Sequence, residues 1–203
     1  MKGYAEWLFR GKKGAYLPKI DMDIEYVFRL SQEDVEAIIT EANAIITSDN
    51  PDKEKLFQAY IKKAQALQIG VSCRYKDKSN TSVRKALELK PDSAEAIVAL
   101  GRIHKMNYAD TNSEIKARKY FEKALKLKPD YVRAYYELAA TYSRKDDYNK
   151  AVELLTTAIR IKPDFLTALL ARADIYSENG EFEKSISDRT EAIRLNPDEW
   201  IIY

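Results

Sequence analysis

Reactive side chains are scarce in this sequence: 203 residues contain one histidine, His104, and one cysteine, Cys73. A zinc or iron site asks for three or four imidazole, thiolate or carboxylate ligands, and the acidic residues lack the spacing of an EF-hand loop. Neither a metal nor another cofactor is therefore expected. Cys73 has no second cysteine for an internal disulfide, so it reads as a buried or incidental thiol in a reducing compartment. The stretch Gly11-Lys12-Lys13-Gly14 lacks the spacing of a phosphate loop and reads as a solvated basic turn. Lys and Arg number 34 against 32 Asp and Glu, and the two signs stay balanced along the chain. That balance argues against binding a nucleic-acid backbone, which needs a basic field. The first residues hold no apolar core of signal length, and no run approaches the roughly 18 apolar residues of a membrane span. The expectation is a cytoplasmic, non-enzymatic chain without a membrane segment.

The positions that could act are set by a repeated phrase. ELKPD, KLKPD, RIKPD and RLNPD end at Asp92, Asp130, Asp164 and Asp198, and their prolines are 38, 34 and 34 residues apart. About 34 residues hold two helices of a dozen residues and two short turns. A proline stops the helix before it, because it lacks an amide hydrogen and disfavours helix at the preceding residue. Its φ suits the first turn of the next helix, and the aspartate places negative charge at that N-terminus. Aligned on the prolines, small residues recur in columns: Gly101, Ala139 and Ala173; Ala117, Ala151 and Ser185; Ala124, Ala158 and Ala192. Small residues at fixed spacing let two helix backbones approach closely. The first unit keeps this register only with four residues inserted near Met106–Asn112.

These columns resemble the tetratricopeptide repeat family. LARADIYSENGEFEKSISDRTEAIRLNP carries Tyr176, Gly180, Phe182, Ala192 and Pro197 on family positions, and the preceding unit carries Tyr135, Leu138, Tyr142, Tyr148, Ala151, Ala158 and Pro163. The resemblance covers residues 92–198. It implies an all-α fold: a right-handed α-α superhelix, or solenoid, of stacked helical hairpins. Residues 91–203 would hold three units, 94–131, 132–165 and 166–199, with a short C-terminal tail. His104 occupies the position of Tyr142 and Tyr176, which implies a packing role. Residues 31–90 read as degenerate helical repeats. Within them Ser31 and Asp34 could cap a helix, and YKDKSNTS forms a polar interruption before VRKALELK. Residues 1–30 are a non-repeat segment, where Ile20, Met22, Ile24, Tyr26, Phe28 and Leu30 alternate with mostly charged residues, as in a strand or β-hairpin. An amphipathic helix is the alternative there.

What the resemblance implies about function is a protein–protein interaction scaffold, with the first helix of each hairpin lining a concave groove. The groove positions are Glu95, Val98, Ala99, Arg102 and Lys105; then Arg133, Tyr136, Glu137, Ala140 and Ser143; then Thr167, Leu170, Ala171, Asp174 and Ser177. Val98, Tyr136 and Leu170 would form an apolar floor among charges of both signs, suited to a peptide or helix of a partner protein. Tyr136, Arg133 and Arg102 are the expected anchors, since aromatic and arginine side chains dominate such interfaces. Some family members hold a partner's C-terminal carboxylates with Lys, Asn and Arg side chains. Val98, Arg102, Glu137, Thr167 and Ala171 stand on the matching positions, so that clamp is absent. A second reading is self-assembly into a homo-oligomer through the N-terminal segment or the C-terminal end. Arg172 and Arg189 would there wet the outer face of a terminal unit, with Trp200 folding back over it or meeting another subunit. The third is an RNA-binding array that stacks bases on Tyr135, Tyr136 and Arg133, against which the charge balance argues.

Overall fold

The computed structural model describes residues 31–69, 76–105, 111–142 and 147–196. The N-terminal strand reading, the four-residue insertion and the Trp200 tail lie outside them. The described residues form nine α-helices and no strand: α1 (Gln32–Ile46), α2 (Lys53–Ile69), α3 (Lys76–Leu89), α4 (Ala94–Lys105), α5 (Thr111–Leu127), α6 (Val132–Ala139), α7 (Tyr148–Ile161), α8 (Leu166–Glu178) and α9 (Phe182–Leu195). Each packs against its neighbour in sequence, and α2, α4 and α6 also touch one another in a row. The result is a stack of hairpins, α2–α3, α4–α5, α6–α7 and α8–α9, with the first helices along one side.

The proline joints work differently from the expectation. In all three described joints a lysine carbonyl accepts a hydrogen bond from the amide three residues on: Ser93 to Lys90, Tyr131 to Lys128 and Phe165 to Lys162, at 3.1–3.2 Å. Lys-Pro-Asp-X is thus a β-turn with proline at its second position, where its fixed φ is favoured. The proline sits in this turn, outside the first turn of the following helix, and Asp130 and Asp164 are not caps. The N-cap residues of α6 and α8, Tyr131 and Phe165, make no side-chain cap bond. Lys162, ahead of Pro163, is extended at φ −131°, ψ 93°, as a residue before proline must be. The Ser31–Asp34 cap is present in full. Ser31 Oγ accepts from the Asp34 amide at 3.1 Å, and Asp34 Oδ2 accepts from the Ser31 amide at 2.8 Å, a capping box.

All nine small residues of the repeat columns are buried, as close helix packing requires. Between them lie the bulky ones: Phe121 and Leu155 in the main core, with Ala134, Leu138, Phe165 and Ala168 from the following hairpins. His104 stacks on Tyr120 with ring centroids 5.2 Å apart, in keeping with its packing role.

The polar interruption is a correction. KDKSNTS is helical, the first half of α3. Its buried face carries hydroxyls in place of apolar side chains, which is why no apolar periodicity marks it. Ser79 Oγ donates to the Ala64 carbonyl at 3.1 Å, and Ser82 Oγ donates to the Lys78 carbonyl at 3.0 Å, so both can be buried without an unmet hydrogen bond. Gln68 completes the seam: its amide nitrogen donates to Ser79 Oγ and to the Ala99 carbonyl at 3.2 and 3.0 Å, joining α2, α3 and α4.

Candidate functional site

The first helices α4, α6 and α8 carry the groove positions, and a helix presents residues three and four apart on one face. On α4 this brings Glu95, Arg102 and Lys105 to partly buried positions, while Val98 and Ala99 are enclosed in the core. On α6 Tyr136 is half-buried, its ring edge-on to Phe165 at 6.2 Å between centroids. On α8 Thr167, Leu170 and Ala171 are partly buried, and Asp174 is exposed. Ser143 lies outside the described residues, and α6 ends after eight residues at Ala139. There Arg118 of α5 hydrogen-bonds to the oxygens of Thr141, its Nε to Thr141 Oγ1 at 3.1 Å. With Val98 enclosed, the apolar surface along the groove comes from Tyr136 and Leu170.

The electrostatic centre is Glu137, whose side chain is 3 % exposed. Arg102 Nε meets its Oε1 at 3.1 Å and Lys105 Nζ its Oε2 at 2.6 Å, both reaching across from α4. Arg133, one turn before it on α6, is also buried. Burial by itself would raise the Glu137 carboxyl, but the charges of Lys105, Arg102 and Arg133 outweigh it and hold the group below the usual carboxylate range. Burial lowers the Arg102 guanidinium, against the pull of Glu137. It raises the Tyr136 hydroxyl, and the Glu137 charge adds to that shift. The carboxylate thus fastens α6 to α4 and offsets one of the two positive charges that it holds.

Two further charged pairs escaped the sequence reading. Arg172, expected to wet the end of the array, turns inward. Its Nε and Nη2 bind both oxygens of the buried Asp188 at 2.8 and 2.7 Å, and its Nη1 binds Thr156 Oγ1 at 2.9 Å. The hydrogen bond to Asp188 raises the Arg172 pKa further above its already high value. Arg189 binds Asp174 at 2.6 Å in an exposed pair. The sequence signal was arginine at 172, where earlier units have Leu100 and Leu138, and at 189, where they have Phe121 and Leu155; it cannot say what either meets. A cleft of about 510 Å³ borders the first pair, lined by Ile159, Leu169, Thr190 and Glu191. Three of the five N–H donors of its arginine are already taken by Asp188 and Thr156. Among the described residues no group of three His, Cys, Asp or Glu side chains could hold a metal ion, and no helix is long and apolar enough to cross a membrane.

Comparison with known proteins agrees with this architecture. Tetratricopeptide repeat family models match residues 120–153, and residues 106–131 and 166–199. No curated protein sequence matches the chain. Among solved structures, a crystal structure of MamA is 22% identical, with a TM-score of 0.55 over 91% of this chain and 98% of that one. MamA from residue 41 onward of Desulfovibrio magneticus RS-1 is 17% identical, with a TM-score of 0.55 over 88% and 93%. A thermophilic TPR protein of Thermus thermophilus is 15% identical, with a TM-score of 0.69 over 82% and 86%. Residues 106–153 and 166–199 are tetratricopeptide repeats, and the fold of the described residues is the helical solenoid that such repeats build. Its class is that of protein–protein interaction scaffolds.

Proposed function

We propose that the chain is a non-enzymatic scaffold that takes an amphipathic peptide or helix of a partner protein into the groove lined by α4, α6 and α8. The observation that carries this reading is the buried Glu137 carboxylate between Arg102 and Lys105. With Glu95 and Asp174 it balances Arg102, Lys105 and Arg133, so the groove positions carry no net positive field of the kind a polyanion would need. What is left on the surface is Tyr136 and Leu170 flanked by Glu95, Arg102, Lys105, Thr167 and Asp174, an apolar strip with polar edges. Such a strip fits a helix or extended segment with one apolar face. Tyr136 is the anchor, since an aromatic ring offers a large contact area at little entropy cost. Arg133 supports the site from beneath, holding charge near Glu137 without reaching a ligand. Acidic C-terminal peptides and RNA are not ligands on this reading.

The test is capture of partners by the immobilised full chain, followed by mapping the captured segment with synthetic peptides. Tyr136→Ala combined with Leu170→Ser should abolish binding of that segment while the helical circular dichroism stays unchanged. Lys123→Ala, on the exposed side of α5, should bind like the parent. Equal binding by all three would place the partner off the groove.

A further inference from the structure

The second helix of each hairpin carries a stripe that the next hairpin covers. On α5 it runs through Arg118, Phe121 and Leu125; on α7 through Tyr148, Val152, Leu155 and Ile159. Phe121 packs against Ala134 and Leu138 of α6, and Arg118 hydrogen-bonds to Thr141 with its guanidinium over the Tyr142 ring. Leu155 shares a core cluster with Phe165, the N-cap of α8, and with Ala168 of α8. Ile159 joins Leu166, Leu169 and Ala192, and Tyr148 reaches Glu181 and Tyr176. The same stripe on α9 is Phe182, Ile186, Arg189 and Ile193. These residues span about 60° of the helix, centred about 100° from the buried Ser185, Asp188 and Ala192. Among the described residues nothing covers it: Phe182 is 59 %, Ile186 63 % and Ile193 44 % exposed. Three large apolar side chains in a row, on the positions that Tyr148, Val152 and Ile159 hold partly buried on α7, are more than the scattered exposure normal for a surface.

We propose that this open face of α8 and α9 joins a second copy of the chain about a two-fold axis. Charge complementarity supports this occupant. Arg189 stands within the stripe and Asp174 beside it on α8, paired at 2.6 Å while both remain well exposed. A face bearing one cation and one anion beside an apolar row is complementary to itself. Turned about a two-fold axis, Arg189 of one copy meets Asp174 of the other, and the reverse, while the apolar rows close on each other. Unlike the Arg172–Asp188 pair, this one is not buried in its own hairpin, so exchange between copies needs no rearrangement of the core. A helix of 14 residues is about 21 Å long. Two adjacent helices then offer roughly 400 Å² per copy, below the ~800 Å² of a standard stable interface. The dimer is accordingly weak and depends on concentration. It is separate from the groove reading: only Asp174 is common to both surfaces, and the assay below needs no partner protein.

Sedimentation of the full chain from low micromolar to several hundred micromolar should show the mass rising from one chain towards two. Ile186→Asp should hold it at one chain with its helical dichroism unchanged. Arg189→Asp and Asp174→Arg should each be monomeric alone, because each pairs like charges across the axis. Mixed in equal amounts they should dimerise again. In the mixture both cross-axis pairs become opposite in sign, while the pair within each copy stays repulsive, so only contact between copies explains the recovery. A wild-type chain monomeric throughout, a dimer indifferent to Ile186→Asp, or a mixture that stays monomeric would each overturn the proposal. A chain that dimerises only after residues 197–203 are removed would assign the face to that segment and overturn it as well.

Discussion

Replacing Gly101 by alanine sets two effects of opposite sign against each other. Gly101 lies within α4, where alanine is favoured over glycine by about 1 kcal/mol. An added Cβ, however, would stand 2.5, 2.9 and 3.1 Å from three ring carbons of Phe121. Ordinary carbon contacts begin at about 3.5 Å, so the ring would have to retreat by roughly 1 Å. It has nowhere to go: Phe121 is fully buried in a core with Ala117, Ala134 and Leu138. Overpacking of this kind costs about 1–3 kcal/mol. The net expectation for Gly101→Ala is a loss of about 1 kcal/mol, read as a fall of roughly 2–4 °C in the thermal midpoint. Adding Phe121→Leu shortens the side chain and relieves the overlap. The double variant should therefore be more stable than the sum of the two single losses by about 1 kcal/mol. Thermal melting followed by far-ultraviolet circular dichroism measures both. A Gly101→Ala chain as stable as the parent would show that helix propensity wins and that α4 and α5 are not in the close contact described.

Three further expectations are read from unfolding followed by circular dichroism. Glu137→Gln should cost about 3 kcal/mol by leaving Arg102 and Lys105 without their anion, the low end for a buried pair because Lys105 is 29 % exposed. Because the folded-state carboxyl lies below its ordinary value of 4.5, its contribution is complete above that pH and fades as pH falls through the folded value. The parent should thus lose stability below about pH 4.5 more steeply than the glutamine variant; parallel pH profiles would refute the assignment. Asp188→Ala should lower the urea midpoint by an equivalent of about 3 kcal/mol by stranding Arg172. Replacing both partners, Arg172→Met with Asp188→Leu, should recover most of the loss, and a double variant no better than the single would count against the pairing. Gly180→Ala should cost about 1 kcal/mol through backbone strain alone, since its φ is +78° and no atom lies within 4 Å of an added Cβ; Gly180→Asn should cost less.

The groove and the open end were legible to different depths. Position in the repeat was enough to name Arg102, Lys105, Tyr136 and Glu137 as neighbours on facing first helices, because a solenoid maps sequence offset onto place. It could not say that Glu137 is buried and shared by two cations, or that Val98 and Arg133 are enclosed. Burial depends on how closely α4 and α6 approach, and the Gly101–Phe121 contact and the turn after Ala139 help set that. Arg172 and Arg189 looked alike as charges on apolar positions. One turns inward to Asp188 and the other outward beside Asp174, a choice made by the partner each meets across the hairpin.

By itself the sequence determined the class of fold, the joints and the columns of small residues, because these rest on local rules: proline's missing amide, the turn it favours, and the limit that side-chain volume sets on helix approach. The tertiary structure alone decided that KDKSNTS is helix, since buried serines satisfy themselves on backbone carbonyls and leave no apolar period to read. It also decided where the apolar surface ends. Phe182, Ile186 and Ile193 sit on the stripe that Tyr148, Val152 and Ile159 occupy one unit earlier. Among the described residues a following helix covers the stripe of α7, and none covers that of α9.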